Sequence, residues 1–234
     1  MFERAPKINP IWCRVQKKQP VTIESVKATH KSRRDEIINR LSEFEAVWQS
    51  GSNTAVWEEL VFCIFTANAS ARMGMRSVLA VRELLHCDST VEELAQTLTG
   101  VHRFPNARSR YISVTRDFLR QDCQMRLRER LEDFSDSVAR RDWLVQEKQI
   151  KGLGYKESSH FLRNIGFRGL AILDKHILNS LAELGVITEA KPPGNRKRYL
   201  ETEERMRDFA NEIDIDFDEL DLVLWSLKTG EILK

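Results

Sequence analysis

Apolar residues recur every three or four positions along most of the chain after about residue 30, a spacing that predicts amphipathic helices. The stretch 33–51 places Ile37, Leu41 and Phe44 on one stripe and ends at Gly51. The stretch 53–67 repeats this pattern. The first 30 residues lack it and are predicted to be irregular. Because no convincing pair of segments alternates apolar and polar residues, we predict an all-α fold.

Capping residues mark where further helices begin and end. Thr90 precedes a predicted helix over 91–98, which Gly100 ends, and Asn106 is predicted to cap a helix over 107–119. "KPPGN" reads as a loop. The remaining predicted helices span 136–147, 156–165, 174–185, 202–213 and 216–230.

Composition agrees with a soluble helical protein, since 41% of the 234 residues are hydrophobic and 31% are charged. The net charge of +2 excludes a polycation. Charge is nevertheless uneven, because residues 103–130 hold eight arginines against three acids and a second basic cluster spans 191–199. Such clusters suit a polyanion such as nucleic acid, although a solvated helix face has the same composition.

The four cysteines, Cys13, Cys63, Cys87 and Cys123, are too widely spaced to predict a zinc site or an iron–sulfur cluster. Cys63 falls in an apolar helix and is predicted to lie in the core. The chain opens without a charged and apolar leader, and no apolar run approaches 18 residues. We therefore expect a cytoplasmic, reduced protein.

The stretch "IKGLGYKESSHFLRNIG", residues 150–166, is typical of two helices joined by a tight glycine turn. Gly152 and Gly154 permit positive φ and close backbone approach, and Leu153 can pack between the helices. The N–H groups of such a turn, together with the next helix N-terminus, can bind a phosphate. The alternative is a simple αα-corner whose glycines only allow the bend.

Lys156 stands at the start of the helix after this turn, where a cation faces the positive end of the helix dipole. That placement and a partly dry pocket both favour the neutral amine, which is the nucleophilic form. Eighteen residues later, Asp174 follows the apolar run "LAIL". Asp174 is predicted to lie near the lysine, to cap the following helix, or to do both.

The stretch "KGLGYKESSHFLRNIGFRGLAILDKHI" resembles the signature of the helix–hairpin–helix DNA glycosylase superfamily, in the version with a hairpin lysine. More narrowly, residues 30–234 are similar to the type 2 8-oxoguanine DNA glycosylases of archaea and some bacteria. The resemblance implies that Lys156 is the Schiff-base nucleophile and Asp174 the catalytic aspartate. It places His176 near the DNA backbone, together with the hairpin glycines Gly152 and Gly154.

Two upstream stretches also resemble segments of this family. "FTANASARMG" is similar to the start of a helix whose polar side chains enter the DNA stack, which implies that Asn68 fills the gap left by a flipped nucleotide. As an alternative, Asn68 is a helix cap. "HRFPNARSRYI" resembles a segment in which an aromatic stacks on the extruded base, so Phe104 takes that role unless it is an ordinary core aromatic.

The last predicted helix carries Asp221 and Trp225, which share a face because they are four residues apart. The chain ends at Lys234, nine residues after Trp225. In the type 2 enzymes an acidic residue, a tryptophan and a terminal lysine at this separation line the base pocket. The resemblance thus implies that Asp221, Trp225 and Lys234 contact the flipped base; otherwise Trp225 is packing and Lys234 a frayed end.

The resemblance implies two helical lobes, one over 52–163 and one formed by 1–51 with 164–234, with the active site in the cleft between them. It implies a base-excision repair DNA glycosylase and abasic-site lyase that binds double-stranded DNA containing oxidised guanine and removes 8-oxoguanine through base flipping, a lysine Schiff base and β-elimination. We expect a nucleoid-associated monomer that requires no cofactor for its chemistry. The resemblance allows a structural monovalent cation at the hairpin. A glycosylase/lyase for another oxidised base and a non-catalytic hairpin module for DNA binding are the alternatives.

Overall fold

The computed structural model describes residues 19–49 and 52–233. Within these two ranges the chain forms α-helices and no strands, which confirms the all-α prediction. The helices are α1 (Ile23–Gln49), α2 (Asn53–Thr66), α3 (Ala71–Leu85), α4 (Val91–Leu98), α5 (Pro105–Cys123), α6 (Leu127–Glu132), α7 (Ser137–Gln146), α8 (Tyr155–Asn164), α9 (Lys175–Glu183), α10 (Arg196–Glu212) and α11 (Phe217–Thr229).

Most helix starts follow the capping chemistry that the sequence indicates. The Thr90 hydroxyl accepts from the Glu93 N–H, and the Glu93 carboxylate accepts from the Thr90 N–H, so α4 begins with a capping box. The prediction that Asn106 caps the next helix is wrong. Helix α5 begins at Pro105, whose fixed φ suits the first helical position, and Phe104 is the residue before it.

Helix α1 begins at Ile23, earlier than the irregular start to about residue 30 that the pattern predicted. Its first turns bury Val26 but expose most of their other side chains, so no apolar stripe is visible there. Gly51, the predicted end of this helix, lies outside the described residues. Helix α10 likewise begins before its predicted start, at Arg196 with Asn195 as its cap.

The buried side chains form two clusters. The first core cluster is drawn from residues 56–170 and contains the aromatics of α2 and the buried apolar residues Phe161 and Leu162 of α8. The second core cluster is drawn from residues 21–44 and 171–232. Cys63 is fully buried in the first, as predicted, whereas Cys13 lies outside the described residues. The clusters change over between Leu170 and Ala171, just before Asp174.

None of the helices in the described ranges is long and apolar enough to cross a membrane.

Candidate active site

The hairpin between α7 and α8 uses its two glycines differently. Gly152 has φ +81°, and a Cβ there would lie 2.8 Å from Cδ2 of Tyr111. Gly154 has φ −105° and ψ −170°, which is extended backbone, so it does not use the positive φ that a glycine permits. Leu153 packs against the first core cluster, as predicted. Only Gly152 is therefore required by conformation and by space.

Lys156 is the second residue of α8, and its side chain is 25% exposed. Its Nζ lies 3.5 Å from Oε1 of Glu157. Oε2 of Glu157 accepts from the Gly154 N–H at 3.3 Å, so this acid also satisfies the helix start. Sequence reasoning missed Glu157, although an acid three residues after a helix cap is a recognisable signal.

Asp174 is the N-cap of α9, which confirms that part of its interpretation. Its Oδ1 accepts from the N–H groups of His176 at 2.7 Å and Ile177 at 2.8 Å. These two bonds fix the carboxylate at the N-terminus of α9, because each satisfies a donor that has no partner within the helix. His176 is half-buried in the same first turn.

Tyr199 contacts both the helix of Lys156 and the segment leading to Asp174. Its ring lies 5.3 Å, centroid to centroid, from the ring of Tyr155, the neighbour of Lys156. Its hydroxyl donates to the Ala171 carbonyl at 2.8 Å and accepts from the Leu173 N–H at 3.4 Å. Sequence reasoning missed Tyr199, since nothing local marks it.

Asp221 is buried in α11, where Nη1 of Arg163 donates to its Oδ2 at 2.8 Å. Burial raises the pKa of Asp221 to about 6; the Arg163 guanidinium opposes this rise and the Asp174 carboxylate adds to it. Burial likewise lowers the pKa of Arg163. Trp225, one turn later, is half-buried against the second core cluster. Lys234 lies outside the described residues.

Asn68 and Phe104 were predicted from separate stretches, and two arginines contact both the turn that holds Asn68 and the Phe104 ring. Asn68 is exposed in the turn between α2 and α3 with φ +58°. Arg103 donates to its carbonyl at 3.3 Å, and Arg108 donates to the carbonyl of Ala67. The guanidiniums of both arginines lie over the Phe104 ring, at 4.5 and 5.7 Å from its centroid.

The alternative roles for Asn68 and Phe104 do not fit. The N-cap of α3 is Ser70, whose side chain accepts from the Met73 N–H, so Asn68 is not a helix cap. Phe104 is half-buried and belongs to neither core cluster of the described residues. An exposed polar turn beside a partly exposed aromatic ring can contact a base, because the ring offers a stacking face.

The arginine-rich stretch 103–130 is only partly a surface. Arg116 is buried, and its Nη1 donates to the Ser89 hydroxyl at 2.7 Å and the Cys87 carbonyl at 3.1 Å. Arg108 is buried as well, between the Phe104 and Tyr111 rings. These arginines hold loops together, so fewer charges remain for a polyanion than the sequence indicated.

No group of three or more His, Cys, Asp or Glu side chains in residues 19–49 and 52–233 is arranged to hold a metal ion.

A family model described as 8-oxoguanine DNA glycosylase matches residues 37–215. Proteins named 8-oxoguanine DNA glycosylase/AP lyase are similar over nearly their whole length. One from Korarchaeum cryptofilum is 40% identical over 202 residues, covering 86% of this chain and 91% of that protein. One from Fusobacterium nucleatum is 38% identical over 198 residues, covering 83% and 89%.

Solved structures agree with these sequence matches. The 8-oxoguanine glycosylase/lyase of Methanocaldococcus jannaschii, in complex with a 15mer DNA containing 8-oxoguanine, superposes with a TM-score of 0.82 at 36% identity, covering 91% of this chain and 99% of that one. The 8-oxoguanine DNA glycosylase of Thermotoga maritima gives a TM-score of 0.80 at 33% identity, covering 91% and 98%.

Proposed function

Because this chain belongs to the 8-oxoguanine DNA glycosylase family and is a DNA glycosylase/AP lyase for 8-oxoguanine, we propose that Lys156 and Asp174 carry out its chemistry. The damaged nucleotide leaves the duplex and enters the cleft between the two lobes. Unpairing and unstacking the base costs a few kcal/mol of free energy. The two lobes are residues 52–163 and residues 1–51 with 164–234.

Lys156 is the nucleophile. Its neutral amine attacks C1′ of the deoxyribose, and the electron pair of the glycosidic bond leaves with the base, which takes up a proton. Opening of the sugar ring gives an imine between Nζ and C1′. Loss of a proton from C2′ then expels the 3′ phosphate and cleaves the strand. The position of Lys156 in the first turn of α8, directly after the hairpin, supports this role, because its partly exposed side chain is accessible to a bound deoxyribose.

Asp174 stabilises the positive charge that develops on the sugar as the base leaves, and it helps to orient the amine. Its carboxylate is held by two backbone N–H groups, which keeps it from rotating away. Such a fixed charge costs no reorganisation at the moment of reaction, and this is the main source of electrostatic stabilisation in enzymes.

The flipped base contacts Phe104 on its face, and Trp225, Asp221 and Lys234 form the other wall of its pocket. The partial exposure of Phe104 and Trp225 supports this arrangement, since a partly exposed aromatic ring can contact a flipped base. Asp221 contributes through its charge, because it is buried in the ion pair with Arg163.

The DNA backbone is held by the hairpin around Gly152 and Gly154 and by the start of α9 at His176. Asn68 occupies the gap in the duplex, which its exposed position in a tight turn supports. Backbone N–H groups at a glycine turn can bind phosphate oxygens without regard to sequence, although the N–H groups of Gly154 and His176 themselves are already bonded to Glu157 and Asp174.

The observation that carries this proposal is the pairing of a first-turn lysine after the hairpin with an aspartate that caps the next helix. Borohydride trapping on a duplex with a single 8-oxoguanine tests it. Wild-type protein is expected to form a covalent protein–DNA adduct, and Lys156→Gln to form none. The matched control is Lys175→Gln, which removes an exposed lysine next to Asp174 and is expected to keep the adduct.

The outcomes separate chemistry from substrate. Damaged duplex that is bound by wild-type protein without an adduct would mean that the chain binds DNA but does not react. An adduct only with other oxidised bases would keep the role of Lys156 and reject 8-oxoguanine. Persistence of the adduct in Lys156→Gln would assign the nucleophile to another amine.

A further inference from the structure

The segment between α8 and α9 reaches Asp174 as non-helical backbone, yet it is buried from Leu170 to Leu173. Buried backbone groups outside a helix need partners from elsewhere. Here the partners are two side chains of α10 together with Asp221 of α11, whose Oδ1 accepts from the Ile172 N–H at 3.4 Å. The Ala171 N–H donates to Oε2 of Glu203 at 2.7 Å, and the Tyr199 hydroxyl binds the Ala171 carbonyl and the Leu173 N–H.

Tyr199 uses its full hydrogen-bonding capacity at this point. The hydroxyl donates to the Ala171 carbonyl, accepts from the Leu173 N–H, and lies 3.4 Å from the Ser159 hydroxyl of α8. Burial raises the pKa of Tyr199 well above its ordinary value, so the hydroxyl keeps its proton and can donate at neutral pH. One atom therefore fixes both ends of a three-residue segment.

A buried ion pair holds Glu203, which binds the same segment. Nη1 of Arg141 lies 2.6 Å from Oε2 of Glu203, and Nη2 lies 3.0 Å from Oε1, in a two-pronged contact. Arg141 is completely buried, and it also donates to the Ser159 hydroxyl at 3.1 Å. Burying two charges is costly, and the directional bonds that they form restrict the geometry of everything attached to them.

The same tyrosine contacts the helix that carries the lysine. The Tyr155 and Tyr199 rings are 5.3 Å apart and tilted by 35°. Tyr155 directly precedes Lys156, while Leu173 directly precedes Asp174. Tyr199 thus contacts the immediate neighbour of each of the two residues, one through its ring and the other through its hydroxyl.

We propose that Tyr199, supported by the Arg141–Glu203 pair and by Ser159, is a positioning residue that fixes Asp174 relative to Lys156. The inference rests on the proposed function, because it assigns a role only if those two residues react. Tyr199 does not touch the DNA in this proposal. It acts on the rate of the chemical step, since a small misplacement of a reacting group slows catalysis strongly while leaving binding intact.

The test compares two tyrosine-to-phenylalanine variants in single-turnover base release from an 8-oxoguanine duplex. Tyr199→Phe keeps the ring contact and removes the hydroxyl, so base release is expected to slow by about tenfold or more, with duplex Kd within about twofold of wild type. Tyr155→Phe is the matched control. Its hydroxyl has no hydrogen-bond partner among the described residues, and base release is expected to stay within about twofold.

Ser159→Ala is the second variant, because it removes the hydroxyl that touches both Tyr199 and Arg141 without touching the Ala171–Leu173 segment. It is expected to slow base release by about threefold with Kd unchanged. It decides the matter if Tyr199→Phe fails to fold. A wild-type rate in whichever of these variants folds would overturn the proposal, as would equal slowing in Tyr155→Phe.

A rise in Kd that matches the fall in rate would also overturn it, because the hydroxyl would then act on DNA binding. Absence of base release by the wild-type protein would overturn the proposed function together with this inference. Base release and a trapped adduct in wild type, with no effect of Tyr199→Phe, would overturn the inference alone.

Discussion

At the scale of single residues, the two hairpin glycines have different physical requirements. Gly152 has positive φ and no room for a side chain, because Tyr111 fills the space. Gly154 has an extended backbone, and a methyl group added there would have as its nearest neighbour a flexible Glu157 oxygen at 3.4 Å. At position 152 steric exclusion and positive φ therefore require glycine, whereas at position 154 glycine is favoured only by its place at the N-cap of α8.

We expect Gly152→Ala to lower the free energy of unfolding by about 2 kcal/mol or more, because alanine is strained at a positive φ and its methyl group would overlap the Tyr111 ring. Gly154→Ala is expected to cost about 0.5–1 kcal/mol, the usual loss at a cap position. Gly100→Ala is the control for backbone strain alone, because Gly100 has φ +76° and open space around it. Urea denaturation measures all three, and equal losses for Gly152 and Gly100 would exclude the Tyr111 contact.

Asp221 gives a pH-dependent prediction. Its pKa is raised from 3.8 to about 6 in the folded state, so the folded protein binds this proton more tightly than the unfolded chain. Its contribution to stability is therefore full below about pH 4 and decreases as the pH rises towards 6. The stability of wild type relative to Asp221→Asn is expected to decrease by up to about 3 kcal/mol between pH 4 and 7. Parallel pH profiles for the two proteins would contradict this.

Sequence reasoning located Lys156 and Asp174 at helix starts because their signals are local: a glycine turn in one case and a cap position in the other. It could not find the pairs that surround them. Arg163 and Asp221 are 58 residues apart, and Arg141 and Glu203 are 62 apart. Either partner alone resembles an ordinary charge on a solvated helix face, and only folding shows that both are buried.

At the scale of helices, the beginning of α1 shows where periodicity fails. A helix that buries one side chain in its first two turns has no stripe to detect, yet Val26 is completely buried in the second core cluster. Contacts distant in sequence complete the anchoring, because the His30 ring lies 2.5 Å from Glu219 at the start of α11. Tertiary packing, which the local pattern does not record, decides that this segment is helical.

Val26→Ala tests that account of α1. Removing two buried methyl groups is expected to lower the free energy of unfolding by about 1.5–2.5 kcal/mol. Ile23→Ala, three residues earlier on the same helix, removes a side chain that is 37% exposed and is expected to cost less than about 1 kcal/mol. Chemical denaturation followed by circular dichroism measures both. Equal losses would mean that Val26 does not anchor the helix.

At the scale of the whole molecule, the two core clusters are joined by buried polar side chains as well as by the chain itself. Arg163, at the end of α8, binds Asp221 of α11. Arg141 of α7 binds Glu203 of α10. Apolar contacts tolerate sliding, whereas paired charges hold one geometry. These bonds therefore fix the two core clusters relative to each other, with the proposed nucleophile Lys156 before the boundary between the clusters at residues 170–171 and Asp174 after it.

A double-mutant cycle on Arg141 and Glu203 measures how strongly this junction is coupled. Arg141→Met alone is expected to lower the free energy of unfolding by about 3–5 kcal/mol, because it leaves a buried carboxylate without its partner. Adding Glu203→Gln removes that charge and is expected to recover much of the loss.

The control cycle uses Arg196 and Asp142, an exposed ion pair that joins the same two helices. Its coupling is expected to be several-fold smaller, since water screens it. Equal coupling in the two cycles would mean that burial does not strengthen the Arg141–Glu203 contact between α7 and α10.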